Sequence, residues 1–373
     1  HGGLLCRRDL PDHRAALEEH HIVPFDLVVV NLYPFEETIA QPGVADQEAI
    51  EQIDIGGPSM IRSAAKNHAF VAVATDPAQY ETILAQIQEH GTTTAQLRRT
   101  LAQAAFAQTA RYDAAIAGYF ASSASDDPTD NTSLPARTTF ALNRKTTLRY
   151  GENPHQEAAL YTAGSPQPGS LVAARQLHGK ELSYNNLLDL HAAQAVAASL
   201  PQPGVAVLKH NNPCGAATGA TLAEAAEKAW AGDPVSAFGS VLGVNVPVDA
   251  AMAELLAEPG KFVEAIVAPS FTDEAVEILT TRPKWKANVR LLATGERSRD
   301  DAGLAWRQID GGWLCQTADD QPDEPSQWQT VTEASPSPAQ EADLRFAWAA
   351  CKHVKSNAIV LARHEALVGV GAG

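Results

Sequence analysis

No run of about 18 or more apolar residues occurs in the 373-residue chain, so a membrane-spanning helix is not expected. There is no basic-then-apolar leader either, which points to the cytoplasm. Basic residues are scarce: 28 Lys and Arg stand against 44 Asp and Glu, a net charge of −16. With no interleaving of basic and aromatic residues, this argues against nucleic acid as a partner. A small anionic ligand stays open, because salt screens a local basic pocket from a distant acidic surface. The four cysteines, Cys6, Cys214, Cys315 and Cys351, are widely spaced and form no C-x-x-C pair. That excludes a disulfide framework and a zinc site and leaves reduced, buried thiols. No H-E-x-x-H occurs, and His20–His21 has no partner at ligand spacing, so no metal is expected.

What is present is ordinary for a soluble globular protein, 45% hydrophobic and 19% charged, and long enough for two or three domains. "FDLVVVNLY" (25–33) and "FVAVAT" (70–75) are continuous apolar runs of the kind buried on both faces of a parallel sheet. Asp76 and Pro77 form an N-cap and N1 pair before a helix. Between the two runs, Gly56–Gly57 breaks the chain and Pro58 starts another helix. Alternation of this kind implies an open α/β sheet. A polar Ser/Asp/Pro stretch at 122–139 reads as an interdomain linker, and 317–338 as an exposed loop. Later, "FVEAIVAPSFTDEAVEIL" gives strand, loop and capped helix. "EADLRFAWAACKHVKSN" places Leu344, Ala347, Trp348, Cys351 and Val354 on one helical stripe, with Lys352–His353 on the solvated face. "NAIVLARHEALVGVG" reads as two strands joined by a turn at His364–Glu365.

Four constellations could carry chemistry. In "VAVLKHNNPCGAATG" (205–219), Lys209 and His210 stand where an apolar strand surfaces into a loop, and open α/β sheets bind ligands at such strand ends. A cation beside the imidazole favours its neutral, proton-accepting form. "RYGENPHQ" (149–156) gathers a cation, a phenol and an imidazole around Gly151 and Pro154, or is simply a polar turn. "LSYNNLLDLHAA" (182–193) is either a binding segment or a helix start capped by Asn185 or Asn186. Arg62 and Lys66 lie at i and i+4 on the helix opened by Gly56 and Gly57. Like charges there repel, so both side chains pointing into water is one reading. The other is an anion held between the cations and the free amides of the helix start, with Asp54 and Tyr33 as acid or base beside it.

Together, "NLYPF", "EQIDIGGPSMIRSAAKNHA", "LRYGENPHQ", "LSYNNLLDL", "LKHNNPCG", "DPVSAFGSV", "VKSNAIV" and "VGVGAG" resemble the bifunctional purine-biosynthesis enzymes that combine AICAR transformylase with IMP cyclohydrolase. The resemblance covers nearly the whole chain in the family's order. It implies a methylglyoxal-synthase-like α/β cyclohydrolase domain over 1–121, the linker at 122–139, and a transformylase over 140–373 built from two cytidine-deaminase-like α/β units without their zinc. Tyr33, Asp54 and Lys66 match the family's cyclohydrolase positions, with Gly56, Gly57 and Arg62 at the same helix start. His210 matches the group that takes the proton from the AICAR amine, and Lys209 the group that stabilises the oxyanion or helps N10 of the folate leave as a protonated amine. Arg149, Tyr150, Asn186, Asp233 and Asn357 match nucleotide-binding positions. The cosubstrate implied is 10-formyltetrahydrofolate, the nucleotides are AICAR, FAICAR and IMP, and the assembly is a homodimer.

Against that family the chain reads as a piece of something longer. An "RVKTLHP"-like segment is expected before His1, and a "QxSR" stretch with a folate-contacting tail after the last residue. Transformylase activity alone, or nucleotide binding without turnover, are the alternatives this leaves.

Overall fold

The computed structural model describes residues 1–123, 134–164, 166–296, 303–319 and 324–372. The chain divides into two compact units, His1–Ala141 and Leu142–Gly373.

The first unit runs α1 (Gly2–Leu5), α2 (Pro11–Glu19), β1 (Leu27–Val29), α3 (Phe35–Ile39), α4 (Asp46–Glu51), α5 (Gly56–Lys66), β2 (Ala72–Ala74), α6 (Tyr80–His90) and α7 (Ala95–Ser123). β1 and β2 pair in parallel, Leu27 opposite Ala72. β2 is buried on both faces, as its apolar run predicts. Val71 and Val73 pack with Ile61, Ala64 and Ala65 of α5, while Ala72 and Ala74 pack with Ile83 and Leu101. For β1 the expectation of two buried faces is wrong. Leu27 is 38% and Val29 50% exposed, because β2 pairs with one edge and the core covers only the face carrying Val28 and Val30. Asp76 caps a short 3-10 turn, Pro77–Gln79, with a capping box. α7 reaches Ser123, inside the stretch expected to be linker; 124–133 lie outside the described residues, and 134–139 are exposed.

The second unit runs β3 (Leu142–Leu148), β4 (Ala158–Ala163), β5 (Arg175–His178), α8 (Tyr184–Ser199), β6 (Gly204–Lys209), β7 (Asn212–Thr218), α9 (Leu222–Ala231), α10 (Pro234–Ala237), β8 (Ser240–Val244), α11 (Ala250–Ala257), β9 (Val263–Ala268), α12 (Asp273–Thr281), β10 (Arg290–Ala293), β11 (Leu304–Ile309), β12 (Gly312–Thr317), α13 (Pro338–Cys351), β13 (Ile359–Ala362) and β14 (Leu367–Gly371). Its centre is one six-stranded mixed sheet in the order β5-β10-β9-β8-β6-β7. β8, β9 and β10 are parallel, whereas β6 is antiparallel to both its neighbours. α8 and α13 cover one face through Leu190, Ala193, Val196, Phe346 and Ala350; α9, α11 and α12 cover the other. α8 lies so close to β8 that a Cβ on Gly243 would sit 2.1 Å from the Ala193 carbonyl, which fixes glycine there. Beyond this sheet the described residues add the hairpins β3–β4, β11–β12 and β13–β14.

Four local expectations are corrected. The supposed loop after His210 is strand: Pro213, Cys214 and Gly215 belong to β7, which returns antiparallel to β6. α8 is capped by Ser183, not by Asn185 or Asn186; Asn186 sits three residues on and closes the capping box with its side chain. On α13 the inward residues are Phe346 and Ala350, whereas Leu344 is exposed and Trp348, 57% exposed, packs against Trp328. Helix periodicity alone does not say which of two apolar faces meets the sheet. Nor is His353 solvated. It lies just past the end of α13, half-buried, with Nε2 2.7 Å from Ser199 Oγ, and burial pushes its imidazole below the usual range. The turn at His364–Glu365 is as expected, both residues having positive φ.

Candidate active sites in the two units

In the first unit the candidate groups gather at the start of α5. Its opening amides need acceptors, since a helix's first N–H groups have none within it. Asp54 supplies one: its Oδ1 accepts the Gly57 N–H at 2.7 Å. A Cβ on Gly57 would meet Asp54 Oδ2 at 2.5 Å and Leu32 Cδ2 at 2.7 Å, so a side chain there would push the Asp54 carboxylate from this position. Asp54 is held from the other side as well. Its own N–H donates to Tyr112 Oη at 2.8 Å, and that hydroxyl donates to the Gln52 carbonyl at 2.9 Å. Burial pushes the Tyr112 phenol above its ordinary value. Sequence reasoning missed Tyr112, which arrives from α7, far along the chain. Tyr33, just past β1, is 56% exposed yet near enough to Tyr112 to couple to it electrostatically. The anion-cradle reading of the helix start is narrowed, because Asp54 already takes one amide. Arg62 and Lys66 are both exposed, and the Arg62 guanidinium lies 5.6 Å from the Phe106 ring centroid.

In the second unit, β6 delivers Lys209 and His210 to the tip of a hairpin. Lys209 pairs with Asn212, and His210 and Asn211 form the two-residue turn between them, with φ of 53° and 62°. Positive φ at both central positions matches strand twist. Lys209 Nζ donates to the Phe238 carbonyl at 2.7 Å, on the segment following α10. Asp233 caps α10, its Oδ1 accepting from the Val235 and Ser236 amides. The bonds from Ser236 hold this carboxylate below its ordinary range, with a smaller contribution from Lys209. Cys214 lies near the same two groups, its thiol pushed up to about 11 by burial and therefore unreactive.

The second unit has a pocket of about 200 Å³, lined by Arg149, Lys180, Phe262, Val263, Glu264, Asn288 and Arg290. Phe262 connects it to the Lys209 region through an edge contact with Phe238, centroids 5.4 Å apart. Arg149 follows β3 and stacks on Tyr150, 4.7 Å from the ring centroid, while its Nη2 donates to Tyr150 Oη at 2.9 Å. The "RYGENPHQ" turn closes on itself through Gly151 N–H to the Gln156 carbonyl. It is tied to α8 by Asn185 Nδ2 donating to the Glu152 carbonyl at 3.1 Å, so two segments far apart in sequence form one wall. Asn186 Nδ2 donates to Glu264 Oε1 at 2.9 Å, and the buried Arg290 pairs with the same oxygen at 3.3 Å. Burial lowers the Arg290 guanidinium from its ordinary value. Three cations facing one carboxylate suit a polar, anionic ligand.

Lys209, His210, Asn186, Asp233, Arg149 and Tyr150 are thus parts of one region. No hydrogen bond links Asn357 to them among the described residues; it lies exposed between α13 and β13. Lys180, Glu264 and Arg290 were missed. The latter two had a signal, a lone charge inside each of the apolar strands "VEAIVA" and "RLLA". No group of His, Cys, Asp and Glu fit to hold a metal occurs among the described residues, and none of their helices is long and apolar enough to cross a membrane.

Comparison with known proteins gives two family matches. The profile of the AICARFT/IMPCHase bienzyme family matches residues 64–373, and that of the MGS-like domain matches 5–59. The "Bifunctional purine biosynthesis protein PurH" of Rhodopirellula baltica is 54% identical over 371 residues, 100% of this chain and 70% of the relative. Proteins of the same name from Rippkaea orientalis and Anoxybacillus flavithermus are 49% and 46% identical, again over 100% of this chain and 71% of theirs. The chain therefore spans about 70% of the length of these relatives. A solved chain titled "Crystal structure of ForH" is 34% identical, covering 32% of this chain and 61% of its own, at a TM-score of 0.29 that carries no argument about fold.

Proposed function

The chain belongs to the AICARFT/IMPCHase bienzyme family, and from that premise we propose how its two sites divide the family's two reactions. The activities are AICAR formyl transfer and IMP cyclohydrolysis, in purine biosynthesis. Formyl transfer belongs to the second unit, with AICAR in the cation-lined pocket and 10-formyltetrahydrofolate as donor. The observation that carries this assignment is the tie between the Lys209–His210 hairpin and that pocket: Lys209 Nζ bonds the Phe238 carbonyl, and the Phe238 ring meets Phe262 of the pocket lining.

The AICAR amine is a weak nucleophile because its lone pair is conjugated into the ring. Attack on the formyl carbon therefore depends on losing a proton as the bond forms, and His210 accepts it. The carbonyl π electrons move onto oxygen, and Lys209 stabilises that oxyanion. Collapse expels N10 of the folate, which leaves as an amine after taking a proton. Arg149, Tyr150, Asn186, Asp233 and Asn357 bind the nucleotide, Asn186 through the Glu264 carboxylate that it and Arg290 hold in place. The product, FAICAR, closes its ring in the first unit: the carboxamide nitrogen attacks the formyl carbon and water leaves, giving IMP. There Lys66, Asp54 and Tyr33 act on the charges and protons of that step, with Gly56, Gly57 and Arg62 at the helix start contacting substrate. The enzyme works as a cytoplasmic homodimer, a reading supported by its free cysteines for the compartment and by the family alone for the assembly.

Assaying the two half-reactions separately tests the division. His210→Ala lowers formyl transfer by about 10²-fold or more and leaves FAICAR cyclisation within about twofold, and Lys66→Ala does the reverse. A His210→Ala protein with normal formyl transfer, or a Lys66→Ala protein with normal cyclisation, contradicts the assignment.

A further inference from the structure

His210 and Asn211 occupy the left-handed region although neither is glycine, the residue that turn conformation favours. Something outside the hairpin must hold such a turn in place. At the tip of the hairpin, Asn212 Nδ2 donates to the His210 carbonyl at 3.1 Å. The other support comes from α8. Asp189, half-buried on that helix, accepts the Asn211 backbone N–H on Oδ1 at 2.8 Å. With its amide oriented to donate, Asn211 Nδ2 also reaches Asp189 Oδ1 at 3.2 Å and the Leu188 carbonyl at 3.1 Å. Asp189 is thus anchored on a rigid element that the sheet packs against, and it grips the residue immediately after His210.

We propose that Asp189 is a positioning residue for formyl transfer: by clamping the Asn211 amide it fixes the hairpin tip, and with it the place from which His210 takes the proton. This rests on the reading of His210 given above. The same carboxylate lies within electrostatic reach of His210 and Glu264, so the clamp joins the base to the pocket wall. Burial raises its carboxyl above the ordinary range, a cost that a surface-facing aspartate would not carry. A displacement of about an ångström at a reacting group is worth on the order of 10²-fold in rate, which sets the size of effect expected.

The test uses the full chain with Asp189→Ala, Asp189→Asn, His210→Ala and the Asp189→Ala/His210→Ala double variant. It measures kcat for formyl transfer, AICAR affinity by calorimetry, and hydrogen exchange of the Asn211 amide. Asp189→Ala lowers kcat by about 10- to 100-fold while AICAR affinity stays within about twofold. Asp189→Asn, nearly isosteric and still offering an oxygen, returns kcat to within about threefold of the parent. In the His210→Ala background the alanine change adds less than about twofold. The Asn211 amide exchanges slowly in the parent and in Asp189→Asn, and fast in Asp189→Ala. The proposal is overturned by an unchanged kcat in Asp189→Ala, by Asp189→Asn falling as far as Asp189→Ala, or by an Asn211 amide that exchanges freely in the parent. This last measurement needs no variant to fold. Normal formyl transfer in His210→Ala would instead overturn the role of His210, while the exchange data still judge the clamp.

Discussion

In the first unit Asp54 is held by bonds to a helix start and to one tyrosine from α7, while Tyr33, Arg62 and Lys66 stand exposed at the surface. In the second, the candidate groups sit at the edge of a six-stranded sheet with helices on both faces, linked through Asp189, Glu264 and the buried Arg290. Both places carry family motifs of similar length. In the first unit bonds from a distant segment reach Asp54 alone, whereas in the second such bonds tie several of the candidate groups to one another before any ligand arrives. Preorganisation of that kind is what electrostatic stabilisation of a transition state requires.

This contrast can be broken by removing supports and asking which unit responds. All six tryptophans lie in the second unit, so their fluorescence follows its unfolding alone. The largest effect is expected from Glu264→Leu, which leaves the buried Arg290 charge unpaired. Because the Glu264 side chain is itself 39% exposed, the loss should fall at the low end for such pairs, about 3 kcal/mol in tryptophan-monitored urea unfolding. An unchanged midpoint would show that the pair supports nothing. Asp54→Ala should cost the first unit about 1 kcal/mol, the size of a lost helix cap. Faster amide exchange in the first turn of α5 would report it, with the tryptophan transition unmoved; a shifted tryptophan transition would break the separation between units.

The smallest effect concerns His353. Its imidazole is pushed down chiefly by burial, with Lys352 adding to the effect. A folded histidine below its unfolded value of about 6.5 resists protonation, so its contribution is present above that pH and is lost as pH falls. His353→Gln should therefore flatten the decline in tryptophan-monitored stability as pH falls below about 6.5. Parallel pH curves for parent and variant would remove His353 from the account.

Much of this was legible in the sequence. The apolar run ending at Lys209 announced a strand end, Asp76–Pro77 announced a helix start, and the motifs announced the family. What sequence could not say was which neighbours an element would find. β1 carries as apolar a run as β2 yet has one exposed face, and α13 has two apolar faces of which the sheet chose Phe346 and Ala350. The "NNPCG" stretch is rich in turn-forming residues, but pairing with β6 holds most of it as strand. Asp189 and Tyr112 became visible only through contacts spanning |i−j| of 22 and 58 residues.

The proposed nucleotide site of the second unit is built on the Lys209 hairpin and the Arg149 wall. Calorimetric titration of AICAR into the chain, with Lys209→Ala and Arg149→Ala beside it, tests this most directly. Measurable binding by the parent, weakened about tenfold or more in each variant, is the predicted result. A parent that is folded and does not bind AICAR, or variants that bind as the parent does, would contradict it.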